Sequence, residues 1–404
     1  MTCRVVLLAL MLSVGLQPAQ RRPVDDAWDL VVKGQRPEAV RLLREMIHAH
    51  PGDVDARLLL GSLLQEQGER DESIAQLTEA VRLRPRSAEA QNALGEAYIA
   101  FGSTPEARVR FEKAVALDPA FSQAHLNLGL ILLEAGEIPA AALHLDRAIK
   151  LLGRKPDAAY AHYLRAKVYT ELNDVPKAAA QLQEAVALRP DYAEAWSDLG
   201  DARKTMLDGP GALAAFERAV SLAPDDAVAQ TRLGSEYLNQ RKPHPAVAHL
   251  REALRLDPKN QSTLYLLQRA LREDGQMAEA GEINKRLAEL LRDKDRDDQN
   301  SLTAIQLNNQ GADLEKAGDI RGALEKYRAA LALMPDHVGI RVNVAVALLR
   351  LGQWSQGLQE LREALRRDPD NPKLKAALDD ALSQAPVEFG GKAKPGPATG
   401  PPSH

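Results

Sequence analysis

Apolar residues recur along this chain at spacings of three and four, which gathers them on one face of a helix. Within residues 193–224 they are Trp196 and Leu199, then Ala212, Phe216 and Ala219, with polar and charged positions between them. The same double pattern returns as Leu94, Gly95 and Tyr98 with Ala107, Phe111 and Ala114, and as Leu233, Gly234 and Tyr237 with Ala246, Leu250 and Ala253. Each stretch therefore predicts two amphipathic helices. Short breakers such as Gln67-Gly68-Glu69 and Ala135-Gly136-Glu137 separate them, with glycine placed to cap the first helix.

A proline closes each stretch. Pro51, Pro85 and Pro119 stand 34 residues apart, as do Pro190, Pro224 and Pro258, and again Pro335 and Pro369. Proline lacks an N–H and restricts its predecessor, so it ends the second helix. With the proline at position 32 of a repeat, large residues fall at 7 and 24 and small ones at 8, 20 and 27. Small residues let helices approach closely and large ones fill the groove between them. No such repeat buries its apolar face alone, so neighbours must stack.

The arrangement W-x2-L-G-x2-Y…A-x3-F…A…P resembles the tetratricopeptide repeat family over residues 24–382. The resemblance implies an all-α fold, an α-solenoid of stacked antiparallel helix pairs wound into a right-handed superhelix. It also implies a protein that binds partners rather than one that catalyses.

Departures from the frame divide the chain. Gly153 replaces a proline and the segment 153–156 adds three residues; Arg165-Ala166 then stands where Leu-Gly recurs. After Gln261 the pattern decays, and the charged run 292–298 precedes its return at Leu307, Gly311, Ala323, Tyr327 and Ala330. The division expected is a first array over 24–291, a charged connector over 292–300 and a second array with a closing helix over 301–384. Residues 287–300 hold no Pro or Gly, so the connector is a loop or a helix spanning both sides. Residues 385–404, rich in proline and glycine, are expected to be a disordered tail.

Charge narrows the partners. With 52 basic and 56 acidic residues the net charge is −4, and no basic stripe stands ready for nucleic acid. At the start, Arg4 and the apolar run 5–12 resemble a secretory signal over residues 1–20, too short to span a bilayer. The expectation is an exported protein, periplasmic or extracellular, without an integral span; the alternative is a cytoplasmic one. Cys3 lies within the signal, so no cysteine chemistry is expected of the mature chain.

Candidate chemistry is sparse. Asp293, Asp295 and Asp297 match the opening of a calcium loop, but Asp298 and Ala304 stand where that loop needs Gly and Glu. His125, His162 and His144 could approach a metal, yet position 4 packs between helices, where a histidine serves as filler. No catalytic constellation, cofactor or metal site is expected. What remains is the face of the first helices, which in the family lines the inside of the superhelix. Asn92, Leu126, Asn127, Tyr160, Tyr163 and Lys167 fall there, followed by Asn308, Asn309 and Asn343. Asparagine at position 6 (Asn127, Asn309, Asn343) is similar to the asparagine ladder of the O-GlcNAc transferases, whose amides grip a peptide backbone. Leu59, Ala93, Leu164, Asp198 and Arg232 interrupt it. The function expected is a non-catalytic scaffold holding a peptide or protein segment in a concave groove. The alternative is an accessory docking subunit of an envelope secretion, polysaccharide or glycosyltransferase complex.

Overall fold

The computed structural model describes residues 23–386; the expected signal segment and all but the first two residues of the expected tail lie outside them. Twenty helices account for the regular structure among the described residues, and they form two compact units that divide between Pro258 and Lys259. The first unit runs α1 (Pro23–Val32), α2 (Arg36–Ala49), α3 (Val54–Gln67), α4 (Arg70–Leu83), α5 (Ala88–Ala100), α6 (Thr104–Leu117) and α7 (Ser122–Glu134). It continues with α8 (Ile138–Leu152), α9 (Ala158–Glu171), α10 (Val175–Leu188), α11 (Ala193–Thr205), α12 (Gly209–Leu222), α13 (Ala227–Asn239) and α14 (Pro243–Leu256). The second holds α15 (Gln261–Glu273), α16 (Met277–Lys316), α17 (Ile320–Leu333), α18 (Val338–Arg350), α19 (Trp354–Arg367) and α20 (Pro372–Gln384).

Local chemistry sets the ends of these helices. Asp53, Ser87 and Asp226 each accept a hydrogen bond from the backbone N–H three residues on, satisfying a donor the helix leaves orphaned. The turn inside each repeat passes through a left-handed residue, usually glycine, as at Gly68 and Gly136. Asn173, Leu207 and Arg241 take that place in three repeats. For Leu207, 92% exposed, the conformation is strained without compensating burial.

Glycine at position 8 sets the spacing within a repeat. A Cβ on Gly200 would lie 2.4 Å from Phe216 Cε1, one on Gly95 2.6 Å from Phe111, and one on Gly234 2.6 Å from Leu250 Cγ. In the second unit Gly311 meets Tyr327 in the same way, at 2.6 Å. The residue at 24 thus lies directly on the first helix, and Phe111, Phe216 and Tyr327 are among the most fully buried side chains. Where the repeat carries Ala166 at position 8, Leu182 stands at position 24, and the two share one buried cluster. At position 20 Ser73 replaces alanine, and its buried hydroxyl donates to the Gly61 carbonyl at 2.8 Å.

The charged run is helical. It lies inside α16, a single helix of 40 residues and about 60 Å. Arg292 stands where the recurring proline would fall, so nothing ends the second helix of one repeat before the first helix of the next begins. Residues 291–299 are exposed all round, while Gly311 further along packs on α17. Because α16 runs unbroken, α15 belongs to the second compact unit, whereas the sequence assigns residues 259–291 to the first array.

If the spacing between positions 8 and 24 governs packing, Gly200→Ala should lower stability by about 1–3 kcal/mol in urea or thermal melts. Adding Phe216→Leu, which copies the Ala166–Leu182 pairing, should restore part of that loss. An unchanged midpoint for Gly200→Ala would show that the contact carries no weight.

Candidate functional site

Within the first compact unit α1 reaches α3, α3 reaches α5, α5 reaches α7 and α7 reaches α9. Over α1 to α9 the second helices make no such close approach to one another, so there the first helices form the inner layer. Side chains on that layer are linked across repeats by one rule: position 6 reaches back to positions 5 and 9 of the repeat before. Asn127 Nδ2 lies 3.1 Å from Asn92 Oδ1 and 2.9 Å from Glu96 Oε1, and Asn92 donates to the same carboxylate at 3.0 Å. Gln123 donates to Asn127 Oδ1 at 3.1 Å. Arg232 on α13 donates to Ser197 Oγ at 2.6 Å and pairs with Asp201 at 3.0 Å. In the second unit Asn343 donates to Asn308 Oδ1 at 2.9 Å.

These bonds change how the expected groove residues read. The asparagines of the inner layer bind one another and Glu96, so part of their capacity is already engaged. Asn92 is only 5% exposed, and Asn309 is exposed on α16. Leu126, expected to line the groove, is 4% exposed and packs into a core cluster with Ile131, Leu164 and Val168. It supports α9 from below and offers almost no surface. Burial pushes the Glu96 carboxyl above its ordinary value, and the amide donors of Asn127 and Asn92 oppose that shift.

The tyrosines do come together. Tyr160 and Tyr163, one turn apart on α9, stack with ring centroids 6.4 Å apart. Tyr192, just before α11, joins them at 5.1 Å from Tyr163. Lys167 Nζ lies 5.1 Å from the Tyr163 ring and 2.6 Å from Asp198; Arg189 lies 5.0 Å over Tyr192. Burial raises the phenol pKa of both Tyr163 and Tyr192. Burial also works against the Lys167 charge, but the Asp198 carboxylate overcomes it and holds the ammonium above its usual range. Asp198 is shared with Arg232 at 3.5 Å, so the acidic stretch and the tyrosine cluster form one continuous surface. Tyr192 escapes a periodicity reading because it follows Pro190 in a loop, where no helix face exists to place it.

The histidines belong to a second recurring device. Position 4 reaches the carbonyl of the proline six residues earlier: Arg57 to Pro51, His125 to Pro119, Trp196 to Pro190, Gln230 to Pro224 and Arg341 to Pro335. The same side chain meets position 23 of its own repeat, as in Arg57–Gln76, His125–His144, His162–Gln181, Gln230–His249 and Arg341–Glu360. His162 is thus bonded to Gln181, apart from the His125–His144 pair. No cluster of three metal-ligating side chains occurs among the described residues. Asp293, Asp295 and Asp297 lie on α16, not in a loop that could wrap an ion.

Models of the tetratricopeptide repeat match residues 33–97 and 314–380, and 100–159 and 231–298; a further TPR model matches residues 166–206. The chain is a tetratricopeptide-repeat protein. Members of this family are generally non-catalytic scaffolds that bind protein partners. No curated protein matches this TPR chain. Among solved structures it is similar to YrrB, a TPR protein with an unusual peptide-binding site, at 20% identity over 47% of this chain and 96% of that one, with a TM-score of 0.40. It is also similar to PilF of Pseudomonas aeruginosa, at 17% identity over 52% and 94%, with a TM-score of 0.48. A TPR protein from Parabacteroides merdae shares 16% identity over 61% and 97%, with a TM-score of 0.45. The repeat models, not these overlays, decide the family. No helix among the described residues of this TPR protein is long and apolar enough to cross a membrane.

Removing one link of the inner layer should be costly because it leaves a carboxylate short of donors. Asn127→Leu is expected to lower stability by about 1–2 kcal/mol in urea titration. Adding Glu96→Gln should recover much of this; no recovery would show that the amide–carboxylate contact is incidental.

Proposed function

We propose that this protein is a scaffold whose inner face at Tyr160, Tyr163 and Tyr192 holds a segment of a protein partner. The observation carrying this reading is the gathering of three tyrosines from two successive repeats into one half-buried cluster. Tyrosine offers large contact area at low entropic cost and is enriched where binding energy concentrates. Lys167 and Asp198 edge the cluster but are paired with each other, so the rings, more than free charge, are what a partner can use. The surface of Asn308, Asn309 and Asn343 in the second unit is the weaker candidate, since two of its three amides bond each other. Arg4 and the apolar run 5–12 support a working place outside the cytoplasm, periplasmic or extracellular.

The test is quantitative capture from an envelope extract, comparing the wild-type chain with a Tyr160→Ala/Tyr163→Ala variant of equal helicity. The variant should retain a tenth or less of the partner bound by the wild type, a change of about 1.4 kcal/mol or more. Equal capture by both would move the site away from the tyrosines. Fractionation of cells expressing the full chain should find it outside the cytoplasm, and recovery only with cytosolic markers would remove the envelope from the reading.

A further inference from the structure

His125 on α7 and His144 on α8 meet through their Nδ1 atoms, 2.9 Å apart, and His125 Nε2 lies 3.2 Å from the Pro119 carbonyl. A carbonyl only accepts, so His125 Nε2 carries the hydrogen. A neutral imidazole has one N–H, which leaves His125 Nδ1 as a lone pair and requires His144 Nδ1 to donate. The geometry alone thus fixes both tautomers. One chain of bonds then runs from α8 through α7 to the turn that closes the preceding repeat.

We propose that this pair is an acid-sensitive latch, closed when it holds two or three protons and opened by the fourth. The third proton enters at His144 Nε2 and leaves the Nδ1–Nδ1 bond in place. The fourth has only His125 Nδ1 to enter, and it sets two N–H groups against each other across 2.9 Å. His125 is 6% exposed, so water cannot take over the lost bond. The two rings titrate as one system with two macroscopic steps.

The surroundings favour neutrality at the centre. Arg147 on α8 repels a charge on His125, and its guanidinium also donates to the Pro119 carbonyl at 3.3 Å. Asp118 at the end of α6 attracts a charge on His125, and Glu112 on α6 attracts one on His144. From α9, Arg165 is paired with Asp146 of α8; from α5, Glu96 is engaged by Asn92 and Asn127. Burial outweighs these attractions and holds both imidazoles below the ordinary histidine value of 6.5. With depressed folded values, the unfolded chain takes up protons first as pH falls. The latch therefore contributes in full above about 6.5 and loses its contribution as pH drops from there through the lowered values.

Other repeats supply the contrast. His162 faces Gln181 at 2.8 Å and His249 faces Gln230 at 2.9 Å. An amide oxygen accepts an imidazole N–H, so neither pair can set two ring N–H groups against each other. Among the described position 4–23 pairs, two imidazoles face each other only at His125–His144.

The test uses the full chain and long-range proton–nitrogen spectra of the imidazoles between pH 8 and 4.5. At pH 8 His125 should appear as the Nε2–H tautomer and His144 as the Nδ1–H tautomer. Amide exchange over residues 122–152 is then compared with His144→Gln, which copies the His162–Gln181 pairing. Between pH 7.5 and 5 the wild type should lose roughly tenfold more protection than the variant, after correction for intrinsic rates. Should His144→Gln fail to fold, His125→Gln, which copies Gln230–His249, serves in its place. Two Nε2–H rings at pH 8, or equal losses in wild type and variant, would overturn the latch.

Discussion

In six repeats of this stack the spacing of the two helices rests on a missing methyl group. Position 8 of the first helix carries glycine in six repeats, and each time the side chain at position 24 occupies the space a Cβ would need. Close packing at that point sets the distance between the two helices of a repeat, because protein interiors leave no slack to absorb a change. The polar devices follow from that distance. Position 4 meets position 23 across that gap, in the Ala166 repeat as well, and the inner-layer links from position 6 to positions 5 and 9 require successive repeats to stack in one register. A solenoid has no central core to correct an error in one repeat, so the contact has to be right each time.

Much of this fold was readable in the sequence, and the readable parts share a cause. The period of Pro51, Pro85 and Pro119, the glycine at 8 and the bulky residue at 24 are constraints on residue type, so they leave a trace in the letters. The clamp at position 4 leaves none. Arg57, His125, Trp196, Gln230 and Arg341 share no side-chain chemistry except a hydrogen to give, and that is enough for the carbonyl they reach. Helix α16 shows a different limit: without proline or glycine between Leu287 and Asn300, the letters allow a loop or a helix equally. Leu126 illustrates a third. Helical phase puts it on the inner layer, but α9 stacks over it and turns a surface position into core.

The inner surface of the first unit is polar without being available. Lys167, Asp198, Asp201 and Arg232 form a connected set of ion pairs, and Asn92, Asn127 and Glu96 a connected set of amide bonds. A partner seeking ionic or amide contacts there would have to break existing ones, which limits the net gain. Ring surface carries no such cost. Tyr160, Tyr163 and Tyr192 contribute area that stays partly uncovered, and the paired charges beside them stiffen the platform by tying α9 to α11 and α11 to α13. Affinity on this surface should therefore depend weakly on salt, as apolar contact does and charge attraction does not.

A stack of repeats also confines a disturbance. Each repeat touches only its neighbours, so the free energy of one junction is nearly independent of distant ones. Opening the His125–His144 pair would loosen the repeat built on α7 and α8 and its tie to the Pro119 turn, while clamps built on arginine, such as Arg57–Gln76, would not feel the same change in pH. The repeat so loosened shares with α9 the buried cluster that holds Leu126 and Ile131, against which Tyr160 and Tyr163 pack. Acid sensitivity at one buried pair would thus reach the proposed binding surface through packing.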